Sequence, residues 1–378
     1  MKVRFYALDV FRGATVALMI LVNNPGSWNY IYSPLEHAPW HGCTPTDLVF
    51  PFFLFAVGNA LAFGMPALKN GKTAPFLKKV MVRSIIIFLI GLLLNWAPFV
   101  QWDRNELVFK SLGNLRIFGV LQRIALAYLF ASLFIFFLSS KNLIFLLLTI
   151  LAGYWLLSWM LGQPGSPYSL EGFWGTSIDR GLLGNNHIYK GEGVSFDPEG
   201  LVSTMGSIAQ VIIGYLIGSY VIRKGSDFVL ATHLFVAGTL LTFLGFCWDL
   251  VYPINKKIWT SSYVLYTSGL AILILALLIY LIEIRKDRGR LTRFFEVFGK
   301  NPLFIFVLSG FLPRLLGLIR IPAAGVATQT PFAWFYQHIC KPVFSSPFNA
   351  SFFYALCLVG LYWSIGYLLD KKKIYIKV

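Results

Sequence analysis

The sequence predicts an all-α fold, a polytopic integral membrane helix bundle, on three observations. Of its 378 residues 57% are hydrophobic and only 13% are charged, about half the charge of an ordinary soluble domain. The mean hydropathy is +0.68. Apolar runs of about 20 residues, the length that crosses a bilayer, recur along the chain between charges, prolines and glycines. These features exclude a soluble globular protein, and one transmembrane domain over 1–378 is expected.

In order, the runs fall at 8–25, 46–65, 80–98, 115–138, 142–161, 201–222, 228–248, 261–282, 299–317 and 351–369, ten candidate helices. The first follows Lys2 and Arg4, but Asp9 and Arg12 interrupt it and no small-residue cleavage motif follows, so it reads as uncleaved. The second opens on Thr44-Pro45-Thr46-Asp47, a helix start with Thr44 as N-cap, Pro45 at N1 and Asp47 at N3. The fourth carries Arg123 about 12 Å along its axis. The sixth follows Asp197-Pro198-Glu199-Gly200, and the eighth follows Asn255-Lys256-Lys257-Ile258-Trp259-Thr260. Residues 331–344 hold Pro331, Pro342, Gln337 and His338 and read as a re-entrant or interfacial piece of the 318–350 segment. A spanning pair there would make eleven or twelve helices with the C-terminus on the same side.

The net charge of +16 would suggest nucleic acid in a soluble protein. Here it marks cytoplasmic loops, and no nucleic-acid partner is expected. With loops assigned alternately, the side holding both termini collects 21 Lys and Arg against 10 on the other. Both termini are therefore expected in the cytoplasm, which places 26–45, the long loop 162–200 and 318–350 outside. The four cysteines are too scattered for a disulfide framework or a metal site. No zinc-hydrolase, phosphate-loop, serine-elbow or dinucleotide motif occurs, and no metal is expected.

The first outer loop carries His37 and His41 among aromatics and acids. Histidine is the side chain suited to moving protons near neutral pH, although both also fit an interfacial aromatic belt. Asp47 serves as a cap, or as a cap that also orients an imidazole. Arg123, near mid-membrane, is either functional or ion-paired with Asp9, Asp47 or Asp249. Arg12 is explained by a salt bridge to Asp9 or by snorkelling. The acidic and lysine-rich clusters at 197–200 and 255–263 either line a hydrophilic acceptor site or serve as turns and anchors.

Together, Leu8-Asp9-Val10-Phe11-Arg12-Gly13, the run Leu35-Glu36-His37-Ala38-Pro39-Trp40-His41-Gly42-Cys43-Thr44-Pro45-Thr46-Asp47-Leu48, Gly119-Val120-Leu121-Gln122-Arg123, Asp197-Pro198-Glu199-Gly200 and the 255–263 block resemble the heparan-α-glucosaminide N-acetyltransferase family. The blocks follow family order over about residues 7–310. The resemblance implies a membrane acetyltransferase that moves an acetyl group from cytoplasmic acetyl-CoA to an amino sugar, of the glucosamine type, on the far side. It puts the active-site histidine on His37, as general base or acetyl carrier, with Asp47 steadying the ring. The family's polar Asn falls on Asn23 as an oxyanion donor, although the stretch from there to His37 is longer here. Arg12, Arg123 and Gln122 are the expected acetyl-CoA contacts, and Trp40, His41, Asp197, Glu199, Lys257 and Ser262 the expected acceptor contacts. Membrane lipids and a homodimer complete the expected partners. Family members of lysosomes carry an extra N-terminal domain, so a bacterial inner membrane is the expected home. A transporter or flippase for a sugar or lipid-linked sugar, and an O-acyltransferase of envelope glycans, are the competing readings.

Overall fold

The computed structural model describes residues 5–69, 71–104, 106–323 and 326–376. Lys2, Arg4 and Lys377, counted in the charge balance above, lie outside the described residues. The chain is about 70% helical. In order it forms α1 (Tyr6–Asn23), α2 (Val49–Lys69), α3 (Thr73–Trp96), the hairpin β1 (Val100–Asp103) and β2 (Glu106–Phe109), α4 (Val120–Phe137), α5 (Ser140–Leu161) and α6 (Trp174–Leu183). There follow α7 (Thr204–Lys224), α8 (Phe228–Asp249), α9 (Ser261–Leu278), α10 (Arg290–Lys300) and α11 (Pro302–Leu316). The chain closes with β3 (Ile321–Ala323), β4 (Val326–Gln329), α12 (Pro331–Phe335), α13 (Lys341–Val343) and α14 (Pro347–Lys371).

Eight helices among the described residues are long and apolar enough to cross a bilayer: α1, Pro45–Lys69, α4, α5, α7, α8, Ser261–Ile284 and α14. The expected crossing at 80–98 falls in α3, which carries Lys78, Lys79 and Arg83 and is not among the eight. The one at 299–317 is α11, only 15 residues long and bent by 78° from α10. Pro302 explains the break, because it has no N–H to continue the α10 ladder. The 318–350 segment is a short hairpin followed by short helical pieces, and no described helix there is long enough to cross.

Local signals set many of the helix starts. Ser139, Asp227 and Thr260 each accept a hydrogen bond from the backbone N–H three residues on, capping α5, α8 and α9. Burial then sorts the helices. The apolar stretches of α1 and α2 are 61% buried, whereas those of α5, α8 and α14 are 28% buried and face outward. At the α2/α7 seam the backbones nearly touch. A Cβ on Gly58 would lie 2.1 Å from the Val211 carbonyl oxygen, and one on Gly214 would lie 2.3 Å from that of Phe55. Small residues allow such approach between membrane helices.

Residues 162–200 are folded rather than a loose loop. Their aromatic anchors Phe173 and Phe196 are buried with Tyr154, Val202 and Ile258, and α6 lies within the segment. On α6, Asp179 accepts from the Leu201 N–H at 3.0 Å, while burial pushes its carboxyl up from 3.8 to about 6. A carboxyl whose folded pKa is raised binds its proton more tightly when folded. Its contribution is therefore fully present below about pH 4 and lost as the pH rises through 6. Stability is expected to rise by about 1 kcal/mol as pH falls from 7 to 5, read as a higher thermal midpoint. Asp179→Asn should flatten that dependence, and thermal scans of both proteins in detergent across this range check it.

Candidate active site

His37 and Asp47 are brought together by the turn that starts α2. Thr44, Pro45 and Asp47 take the expected N-cap, N1 and N3 places and close a capping box, and the Asp47 N–H also donates to the Thr44 carbonyl at 3.0 Å. The two oxygens of the buried Asp47 carboxylate divide the work. Oδ2 accepts from the backbone N–H groups of Ala38 and Thr44 at 3.0 and 3.1 Å and from the Thr44 hydroxyl at 3.1 Å. Oδ1 lies 2.6 Å from Nδ1 of His37 and 3.3 Å from Nζ of Lys256. The cap thus fixes the carboxylate in a pose that leaves one oxygen for the imidazole. With the Nδ1 proton directed at Asp47, Nε2 of the half-exposed His37 keeps a lone pair for an incoming proton.

Lys256 completes the cluster, with Nζ 3.1 Å from Nδ1 and 3.5 Å from Nε2 of His37. Burial pulls its ammonium below the ordinary lysine value, against the raising effect of Asp47. The loop that carries it is clamped to the histidine loop by a bond from the Gly42 N–H to the Ile254 carbonyl at 2.7 Å. Tyr263 adds a hydroxyl bond to the Asp47 carbonyl at 2.6 Å. Gly42 has φ +101°, a conformation costly for any residue with a Cβ. Gly42→Ala is therefore expected to destabilise the protein by about 1–3 kcal/mol, read as a lowered thermal midpoint. An unchanged midpoint would refute strain at this clamp.

His37, Asn23, Lys256 and Glu199 line one cavity of about 160 Å³. The longer stretch between Asn23 and His37 thus still returns His37 to the end of α1. Glu199 is held by Arg116, which also grips the buried Asp197 through Nε at 3.0 Å and through NH2. The two carboxylates hold the Arg116 guanidinium above its ordinary value, outweighing its burial. Gln122 lies in the wall of an adjoining cavity of about 350 Å³ together with Arg116.

The other expected contacts lie elsewhere. Arg12 is at the opposite end of α1, in the wall of a cavity of about 830 Å³ shared with Asp9, Asn59 and Phe63. Asn59 leaves its Oδ1 buried without a partner there. Arg123 is fully buried and lines none of these cavities. Its expected ion partners Asp9, Asp47 and Asp249 do not pair with it. It donates instead to the Gly200 carbonyl at 3.2 Å and to the Ser203 hydroxyl, with its guanidinium 5.0 Å from the Trp259 ring. Ser262 is buried and bonded to Thr260, and Asp197 is buried under Arg116. Lys257 points away from His37, to Glu192 at 2.7 Å and the Pro39 carbonyl at 2.8 Å. Trp40 donates to the Tyr168 carbonyl at 2.9 Å, and His41 lies 3.4 Å from the Asn255 amide. Burial lowers the His41 pKa against the opposing charge of Asp249, and it pushes the Cys43 thiol up to about 12. That thiol is therefore not a ready nucleophile. Among the described residues no three His, Cys, Asp or Glu side chains gather as a metal site.

Lys256 and Arg116 are the residues that sequence reasoning missed. Lys256 stood in the quoted 255–263 block, but nothing in the pair Lys256-Lys257 tells which ammonium turns toward His37. Arg116 had as its only signal a cation just ahead of α4.

Residues 4–170 match the family model described as heparan-alpha-glucosaminide N-acetyltransferase, catalytic. The chain is 28% identical over 366 residues to the heparan-alpha-glucosaminide N-acetyltransferase of Homo sapiens, covering 80% of this chain and 52% of the human protein. It is 26% identical over 432 residues to the Mus musculus protein of that name, covering 99% of this chain and 60% of the mouse protein. The chain spans a little over half the length of the curated relatives it matches. Over residues 4–170 and along both alignments the chain is similar to the heparan-alpha-glucosaminide N-acetyltransferases, as its motifs led one to expect.

Proposed function

We propose that the protein transfers an acetyl group from cytoplasmic acetyl-CoA to the amine of a glucosamine-type sugar on the far side of the membrane. It does so as a bundle of about ten spans with both termini in the cytoplasm. The observation that carries this reading is the His37–Asp47–Lys256 cluster, facing a cavity that also holds Asn23, at the opposite end of α1 from the Arg12 cavity. The 21-to-10 bias of Lys and Arg supports the orientation.

Acetyl-CoA fits the Arg12 cavity on two counts. Its volume of about 830 Å³ is in the range of cofactor pockets, and Arg12 and the unpartnered Asn59 Oδ1 offer partners for phosphate and amide groups. From Arg12 to Asn23 is about 16 Å along α1. An extended thioester arm is long enough for that distance, along a stretch of α1 where Phe11 packs on Phe52 and Phe55. In the reaction the amine nitrogen forms a bond to the acetyl carbonyl carbon and the carbon–sulfur bond breaks. His37 Nε2 takes the amine proton and returns it to the departing sulfur. Asp47 holds the ring in the required tautomer and stabilises the imidazolium. Asn23 and the Lys256 ammonium supply donors for the oxyanion. Transfer in two steps through acetyl-His37 uses the same groups.

The test is CoA thiol release by purified protein in detergent, with and without glucosamine. Release that depends on the amino sugar is expected. Protein that is folded by size-exclusion and thermal criteria, yet releases no thiol with any amino sugar, would overturn the reading.

A further inference from the structure

The cavity at His37 does not end there. It shares Met19, Asn23, Val120 and Phe306 with the cavity of about 350 Å³ that holds Arg116 and Arg314. The latter shares Asn95 and Arg314 with a third, of about 500 Å³, lined by Lys110 and Gln101. The three cavities therefore adjoin one another, wall to wall, from the imidazole to a pair of cations. Arg116, on the way, is neutralised by Asp197 and Glu199. Lys110 and Arg314 are not. Lys110 donates to the Ala97 carbonyl at 3.2 Å, Arg314 donates to the Leu94 carbonyl, and among the described residues no carboxylate pairs with either. Burial, and then the neighbouring Arg314 charge, push the Lys110 ammonium below its ordinary value. Lys110 is half-buried and Arg314 exposed, and two like charges on the wall of one cavity favour an anion between them.

We infer that Lys110 and Arg314 form a subsite for a phosphate group on the acceptor, so that the acceptor is an amino-sugar oligosaccharide carrying a phosphate monoester beyond the ring that meets His37. This rests on the acetyl transfer proposed above. The charge balance selects phosphate: a phosphate monoester carries about −1.5 to −2 at neutral pH and matches two cations, whereas a carboxylate or a sulfate monoester carries a single charge. Guanidinium and ammonium groups bind such oxygens through charge-assisted hydrogen bonds. The spacing selects more than one sugar. The cavity at His37 is about 160 Å³, so a ring beyond the first lies in the second cavity, whose wall already includes Arg314.

The experiment compares a glucosamine disaccharide, its 1-phosphate and its 6-sulfate as acceptors for the full-length protein. The phosphate is expected to raise kcat/KM by about 10–100-fold over the neutral disaccharide, as one or two charge-assisted hydrogen bonds would. Lys110→Gln should remove most of that ratio, and Arg314→Lys, which keeps the charge, should retain part of it. Binding of the same sugars to His37→Ala, measured calorimetrically, separates the subsite from the chemistry. If no disaccharide is acetylated, tighter binding of the phosphorylated one still supports the subsite while the transfer reading falls. Four results would overturn the inference: equal binding of phosphorylated and neutral sugars, a sulfate as good as the phosphate, a ratio untouched by Lys110→Gln, or a Lys110→Gln defect confined to the KM for acetyl-CoA. Phosphatidylglycerol nanodiscs, set against phosphatidylcholine ones, give the lipid arm. Loss of sugar-phosphate binding only in phosphatidylglycerol would make the pair a lipid-headgroup anchor and would equally overturn it.

Discussion

His37→Ala is expected to lower acetyl transfer to an amino sugar by about 10²–10⁴-fold, the usual contribution of a positioned general base, with little change in the thermal midpoint. The side chain is 46% exposed and sits in a loop, so its removal opens no core cavity. In the proposed tautomer its ring, in the cavity wall, contributes two things: the Nε2 lone pair, and the Nδ1–H that occupies Asp47. The alanine variant loses the first outright. The second loss is cushioned because Lys256 stays 3.3 Å from the same carboxylate oxygen. Rates of CoA release for wild type and variant, at saturating acetyl-CoA and with matched thermal scans, measure both effects. Full activity in a folded variant would remove His37 from the chemistry.

Asp47→Asn is expected to cost a similar factor, about 10²–10⁴, by a different route. The three cap donors all converge on Oδ2, so the asparagine carbonyl oxygen will take that position and turn its NH2 toward His37 and Lys256. A donor facing Nδ1 forces the ring proton onto Nε2, and the lone pair then points the wrong way. The cap survives, so stability is expected to fall by no more than about 1–2 kcal/mol, read as a small drop in thermal midpoint. Transfer rate against midpoint tests the split. A variant that loses stability without losing activity in proportion would mean that Asp47 only caps.

The two variants also separate what is local from what is not. The capping role of Asp47 was legible, because Thr44-Pro45-Thr46-Asp47 is a self-contained backbone signature. Its second role rested on His37, ten residues away, and the sequence left it as one of two alternatives. Asn23 was placed through the family motif, and the fold sets it in the same cavity as His37 despite the longer connection. Arg123 shows the opposite outcome. A cation inside a helix demands partners, but the candidates were three aspartates, and the fold supplied a serine, a carbonyl and an indole instead.

Composition and apolar periodicity by themselves determined that the chain is a helical, multi-pass membrane protein, and its Ser, Thr, Asp, Pro and Gly residues determined many of the helix ends. Those properties depend on solvent transfer and on backbone groups a few residues apart, so they are written in short windows of sequence. Only the tertiary structure decided that Lys256 rather than Lys257 turns to His37, across 219 residues, and that Arg116 binds the acids at 197 and 199. It alone decided that Lys110 and Arg314 share a cavity wall, with no carboxylate among the described residues paired to either. Which of two adjacent side chains faces a site depends on how distant helices pack, through closely fitted seams such as Gly58 against Val211, and no local pattern encodes that choice.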